Sequence, residues 1–301
     1  MNKNFLNFYY RLEDKSGKNN LIITLGVIKR NEDAYAYIQV FFSKTKKIVY
    51  LKYDIKDFLM CLNPQYVQIR DNLFMLDLIQ MNIQNVNLNI FGKIKALQAN
   101  SSKYNVMGPF SKQKNIPCKT GIFNMYSKVD GYMYIDGEKV DFTDGTIYVQ
   151  GEKGEYYPEK YIWYNSSKLI SNSVTSDTNA ITMCISKYCG NRIFYISLLL
   201  EGVSYVFSTY NGGRIKYITL KRRGNKEVLD IRIKQKNIIF NIRVIKPKGH
   251  FLSYPFEDSM KKVTESLDSE MIISMYKHGD KRKIKKIFKS KFINGVCQIK
   301  L

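Results

Sequence analysis

The sequence predicts an all-β protein, and three observations carry the prediction. Aromatic residues make up 14% of the chain, with 23 Tyr and 17 Phe against only 6 Pro. Short runs of β-branched and aromatic residues recur along the whole length, separated by Gly, Asn and Asp, the composition of strands and tight turns. Sustained helical periodicity is nearly absent. The one short helix expected is 259–267, where Met260, Val263 and Leu267 fall on one helical face.

Taken in order, the first strands fall at 21–28, 34–42, 47–53, 65–69 and 86–94. Five more follow at 121–127, 131–135, 139–142, 146–150 and 160–165. The C-terminal half offers 180–186, 193–200, 203–210, 214–221, 227–234 and 238–245, then 271–276, 283–288 and 296–301. Asp136-Gly137 tolerates the positive φ of a two-residue hairpin turn, and Glu201-Gly202 and Asn294-Gly295 are read the same way. So many strands exceed one small barrel and call for two packed β domains. The Ser/Asn/Thr-rich, apolar-poor stretch 165–179 is the expected boundary, giving domains 1–165 and 166–301.

With 301 residues and a hydrophobic fraction of 45%, the chain can bury a sizeable core. No apolar run is long enough for a membrane-spanning helix, and the first residues show no signal-peptide core. The five cysteines, Cys61, Cys118, Cys184, Cys189 and Cys297, are odd in number and irregular in spacing, which suits free thiols in a reducing cytoplasm. No Cys/His set has zinc-site spacing and there is no Gly-rich phosphate loop, so neither metal nor cofactor is expected.

The net charge of +22 attracts polyanions and anionic lipid surfaces. Its densest patch surrounds Lys283, Lys285 and Lys286, with Ile284, Ile287 and Phe288 interleaved. That patch reads either as a basic strand with one apolar face or as a contact for an anionic membrane. No RNP-like or helix-turn-helix pattern accompanies it, so a nucleic-acid partner is not expected.

The stretch 108–165 carries a family signature. It begins Gly108-Pro109-Phe110-Ser111 and runs through Pro117-Cys118, Gly121-Ile122, Met125, Gly131, Asp136-Gly137 and Asp141-Phe142. It ends in Gly154, Pro158 and Tyr161-Ile162-Trp163. Further blocks are Tyr37-Ile38-Gln39-Val40, the run from Phe207 to Ile215 that contains Thr209-Tyr210-Asn211-Gly212, and Leu252, Pro255, Met260 and Glu265-Ser266. In order and spacing the chain resembles the tocopherol cyclase family, itself similar to a lipocalin-like group that includes carotenoid hydratases.

The resemblance implies two lipocalin-like antiparallel β-barrel or sandwich domains and a pocket for a hydrophobic small molecule. It also implies acid-catalysed closure of a chromanol ring on a prenylated quinol. That reaction needs a carboxyl kept protonated in a dry cavity, with aromatic walls against the developing cation. Glu152 and Asp141 are the candidate acids. Phe110, Tyr161, Trp163, Thr209, Tyr210 and Asn211 are the candidate ligand contacts, Tyr161 and Trp163 sharing one strand face. The chain also departs from the family. Gln150-Gly151-Glu152-Lys153-Gly154 stands where a Glu-Lys-Asp-Trp-Gly run is usual, Lys119-Thr120 replaces an acid and a His, and Glu155 replaces a basic residue. A binding protein that kept the scaffold without the catalysis therefore stands as the alternative.

Overall fold

The computed structural model describes residues 4–30, 33–63, 65–97, 106–170, 178–188, 190–256, 259–278 and 284–301. The described residues are almost entirely strand, with three 3₁₀ turns and no α-helix among them. The chain forms two compact units, Met1–Asn105 with Asn115–Tyr157, and Val106–Lys114 with Pro158–Leu301. The division falls at Pro158 rather than at the expected residue 165. The strand that holds Tyr161 to Ser166 pairs with the last strand of the chain, which draws it into the second unit.

The first unit contains β1 (Asn4–Glu13), β2 (Asn20–Arg30), β3 (Asp33–Phe42), β4 (Lys47–Asp54), β5 (Phe58–Leu62) and β6 (Gln65–Ile69). It continues with β7 (Asn72–Met75), β8 (Leu78–Asn85), β9 (Leu88–Ala96), β10 (Cys118–Ile135), β11 (Glu138–Asp141) and β12 (Thr146–Gly154). They form one antiparallel sheet in the order β4-β3-β2-β1-β12-β10-β9-β8-β7-β6-β5, with β11 on β10. First and last strands pair, and the sheet is interrupted only between β4 and β5, where the chain passes through the 3₁₀ turn Ile55–Asp57. Strands distant in that order share one core: the Tyr10 ring of β1 lies 5.6 Å from Phe74 of β7. Phe8, Leu12, Leu25, Ile38, Met133 and Val149 belong to the same buried cluster. Each such side chain contributes about 1.5–3 kcal/mol on burial.

The second unit contains β13 (Tyr161–Ser166), β14 (Lys168–Ile170), β15 (Ala180–Tyr188), β16 (Asn191–Leu200), β17 (Val203–Ser208) and β18 (Arg214–Arg223). It continues with β19 (Lys226–Gln235), β20 (Ile238–Pro247), β21 (His250–Pro255), β22 (Met260–His278) and β23 (Ile284–Lys300). The order is β17-β16-β15-β13-β23-β22-β20-β19-β18, with β14 on β23 and β21 on β22. Again first and last strands pair, and again a 3₁₀ turn, Thr209–Asn211, stands at the interruption, here between β17 and β18. The two units thus repeat one topology that no sequence repeat announces. Phe207 of β17 stacks on Phe240 of β20 at 5.1 Å inside the second core.

Several sequence expectations meet corrections. Residues 259–267 are not helical but lie in β22, apart from Ser259 before it. Val263 and Leu267 are four apart, a spacing that puts side chains on one face of a helix or of a strand alike, and pairing with β21 selects the strand. The strand expected at 86–94 begins only at Leu88, because Val86 and Asn87 form a fully exposed turn. Asp136-Gly137 and Glu201-Gly202 make hairpin turns at positive φ as expected. Asn294-Gly295 instead lies within β23, opposite an irregularity of β22. Lys283 lies outside the described residues, and of Lys285 and Lys286 only the backbone pairing with β22 is described.

Candidate functional site

In β1 the even positions Phe8, Tyr10 and Leu12 enter the first core, so the odd positions Asn7, Tyr9, Arg11 and Glu13 face the other way. These are buried too. Antiparallel pairing sets Asn7, Tyr9 and Arg11 directly against Glu152, Gln150 and Tyr148 of β12. The result is a buried ladder of amides, phenols and charged groups on the face of the sheet away from the apolar cluster.

Glu152 is its centre. Asn7 Nδ2 donates to Glu152 Oε2 at 2.8 Å, and Gln150 Nε2 donates to Oε1. Tyr148 Oη donates to Gln150 Oε1 at 2.5 Å, and Tyr37 Oη donates to Asn7 Oδ1 at 2.6 Å. The Tyr157 hydroxyl also bonds to Glu152, while accepting from Asn7 Nδ2 at 3.0 Å. Tyr157 is held by stacking on Phe5 at 5.1 Å, and Tyr37 by stacking on Tyr50 at 5.2 Å. Burial pushes the Glu152 carboxyl above the usual carboxylate range, against the opposing pull of the Gln150, Asn7 and Tyr157 donors. The same burial pushes the Tyr37 phenol well up. One strand turn away, Arg11 bonds to Glu13 at 2.5 Å and to Asn20 at 3.1 Å.

The flanking glycines explain how a carboxyl comes to sit there. A Cβ at Gly154 would lie 1.9 Å from the Pro117 carbonyl oxygen, and one at Gly151 would lie 2.5 Å from the Phe123 ring. Their absence lets β10 close over β12 at Glu152. The strand expected at 146–150 runs on to Gly154, which places Glu152 in a strand interior.

The other candidate acid, Asp141, is exposed at the end of β11. Its Oδ1 accepts the Thr143 N–H at 2.9 Å, and that bond holds its carboxyl below the usual range. This is the geometry of a charged turn cap, not of a protonated acid in a cavity.

The remaining candidates belong to the second unit. Tyr161 and Trp163 are buried on one face of β13, as alternation requires. Tyr161 Oη donates to Gln298 Oε1 at 2.7 Å, and Gln298 Nε2 donates to Glu265 Oε2 at 2.5 Å and to Tyr254 Oη at 3.0 Å. The second unit therefore has its own buried Glu–Gln–Tyr cluster. Phe110 and Tyr210, from separate sequence blocks, meet edge to face at 6.5 Å. Gly108 admits the Tyr210 ring where a Cβ would lie 2.8 Å from it. Thr209 is committed to structure, its Oγ1 accepting the Phe194 N–H at 3.0 Å. Asn211 donates its own N–H to Ser208 Oγ at 3.2 Å.

Asn7, Gln298 and Tyr254 carry no motif of their own, whereas Tyr37 opens the Tyr37-Ile38-Gln39-Val40 block. The readable signal for Asn7 is a polar residue alternating with aromatics on a strand whose opposite face is already apolar.

No family model matches the chain, and no curated protein matches it in sequence. Solved structures do share its fold. A putative AttH from Nitrosomonas europaea aligns at TM-score 0.54 and 13% identity, over 99% of this chain and 93% of that one. Kievitone hydratase from Nectria haematococca aligns at 0.54 and 10%, over 98% and 88%. CghA, in a structure with Sch210972, aligns at 0.51 and 8%, over 99% and 88%. At such identities the likeness is one of fold: this is a lipocalin-like all-β protein.

Proposed function

We propose that the chain binds a prenylated or polyene hydrophobic ligand and that Glu152 is the acid of a tocopherol cyclase-like ring closure. The observation that supports this most is the burial of Glu152 among Tyr37, Tyr148 and Tyr157, with its proton affinity raised by desolvation. In the reaction, Glu152 delivers its proton to a trisubstituted alkene. The phenol oxygen of the ligand closes on the tertiary cation, and the phenolic proton returns to the carboxylate. The product is an isomer of the substrate, so no co-reactant is consumed. The Tyr148–Gln150–Glu152 chain accommodates both protonation states, because turning over the Gln150 amide reverses the direction of its hydrogen bonds. A hydratase by name is among the structures that share the fold.

One observation favours a binding role without turnover. Both Glu152 oxygens already accept amide hydrogen bonds, and one comes from Gln150, which stands where the family carries an acid. Incubation of purified protein with a prenylated quinol, read by chromatography and mass spectrometry, separates the two. Conversion to a chromanol that Glu152→Gln abolishes and Asp141→Asn leaves intact supports the cyclase. Tight binding without conversion establishes the carrier. Conversion untouched by Glu152→Gln sinks the acid assignment.

A further inference from the structure

The net charge of +22 is concentrated in the second unit, and the outer face of β18, β19, β20, β22 and β23 carries a cluster of its cations. On β19, β20 and β22, Ile231, Ile242 and Ile273 point into the core, so the alternate positions point outward. Register places Tyr217, Arg232, Asn241, Ser274 and Lys289 in one row across β18, β19, β20, β22 and β23. The next row holds Asp230, Arg243, Ile272 and Lys291.

The acids on this face are already neutralised. Arg243 grips Asp230 through two bonds of 2.7 and 3.2 Å, and Lys291 pairs with Glu270 at 2.7 Å. What remains is an excess of cations: Arg214, Lys221, Arg223, Lys226, Lys234 and Lys289 are exposed and have no acidic partner among the described residues. Five strands at about 4.8 Å spacing make a surface roughly 20 Å wide.

We propose that this outer face of β18–β19–β20–β22–β23 docks on an anionic membrane. Charge complementarity selects a polyanion, and two features select a lipid surface over a nucleic acid. The exposed aromatic of the central row, Tyr217, has its ring covered by the Arg232 guanidinium at 5.3 Å, so it offers no open platform for a base. Half-buried Ile239, Ile245 and Ile272 lie between the cations, an arrangement that suits a headgroup layer backed by acyl chains. The surface is built from residues other than Lys283, Lys285 and Lys286, and it stands independently of the ligand reading.

The test is co-sedimentation of the full chain with vesicles of phosphatidylcholine alone, or with roughly a third phosphatidylglycerol. The expected result is binding to the anionic vesicles only, released by ~0.5 M salt. The combined variant Lys221→Gln, Arg223→Gln, Lys226→Gln and Lys234→Gln should bind at least about tenfold more weakly. The control variant Lys18→Gln, Lys29→Gln, Lys93→Gln and Lys95→Gln, with the same loss of charge in the first unit, should bind as the parent does. Equal weakening by both variants overturns the proposal in favour of net charge alone. Absence of binding at low salt overturns it outright. Tighter binding of a single-stranded RNA oligonucleotide, lost in the first variant, reassigns the face to nucleic acid.

Discussion

Asn7 and Glu152 stand directly opposite each other in the β1–β12 pairing, and the Asn7 amide donates to the Glu152 carboxylate at 2.8 Å across 145 residues of chain. The same amide accepts the Tyr37 hydroxyl through Oδ1. One asparagine thus couples the carboxylate of the last strand of the unit to a phenol of the third.

Asn7→Ala removes three bonds, to Glu152, Tyr37 and Tyr157, and leaves the buried carboxylate and both phenols each short of a partner. The expected cost is about 1–3 kcal/mol in urea unfolding. The Glu152 carboxyl should at the same time move further up, since a donor that favours its ionised form is gone. A variant as stable as the parent would show that the ladder has another support.

Glu152 itself predicts an unusual pH dependence. Its folded-state affinity for a proton exceeds the unfolded one, so the native state binds more protons, and this group's contribution to stability falls as pH rises through that window. The contribution is intact below the ordinary carboxylate range and is lost above the raised value. Glu152→Gln cannot ionise, so its stability relative to the parent should improve as pH rises from the ordinary carboxylate range, about 4.3, to the raised folded-state value. Parallel unfolding curves across that range would mean that the carboxyl is not desolvated.

Gly154 closes the same strand against Pro117. Gly154→Ala puts a methyl 1.9 Å from a backbone oxygen that cannot retreat without opening β10 from β12. A loss of roughly 3 kcal/mol or more is expected, seen as a lowered unfolding midpoint or as insoluble protein. Gly137→Ala, at a turn where no atom lies within 4 Å of the added Cβ, should cost far less despite its positive φ.

The thiols should separate by burial. Cys297 is fully buried and its thiol is pushed up to about 12, chiefly by desolvation. It should resist alkylation in the native protein and react only on unfolding, whereas the half-exposed Cys61 and Cys184 should be labelled early. Peptide mapping after brief iodoacetamide treatment reads the order.

The fold class was legible because its signals are local. Asp136-Gly137 makes its turn at positive φ from the residues at the turn themselves, and the aromatic and β-branched runs from Leu21 to Phe42 read as strands by composition whatever surrounds them. β1 does not read as a strand from its sequence, since both of its faces are buried and one of them is polar, which blurs the apolar–polar alternation. The 259–267 segment failed for the opposite reason: its apolar spacing satisfies two periodicities, and only β21 and β23 alongside decide between them.

The candidate site divides in the same way. That Glu152 lies between glycines, and that Tyr161 and Trp163 point the same way, follows from the sequence by itself. That Glu152 is desolvated, while Asp141, its equal in chemistry, is a solvated cap, was decided by tertiary structure. A carboxyl's proton affinity depends on what surrounds it in space, and the groups that surround Glu152 come from β1, β3 and the end of the first unit. No local pattern brings them together. The register of the sheet does.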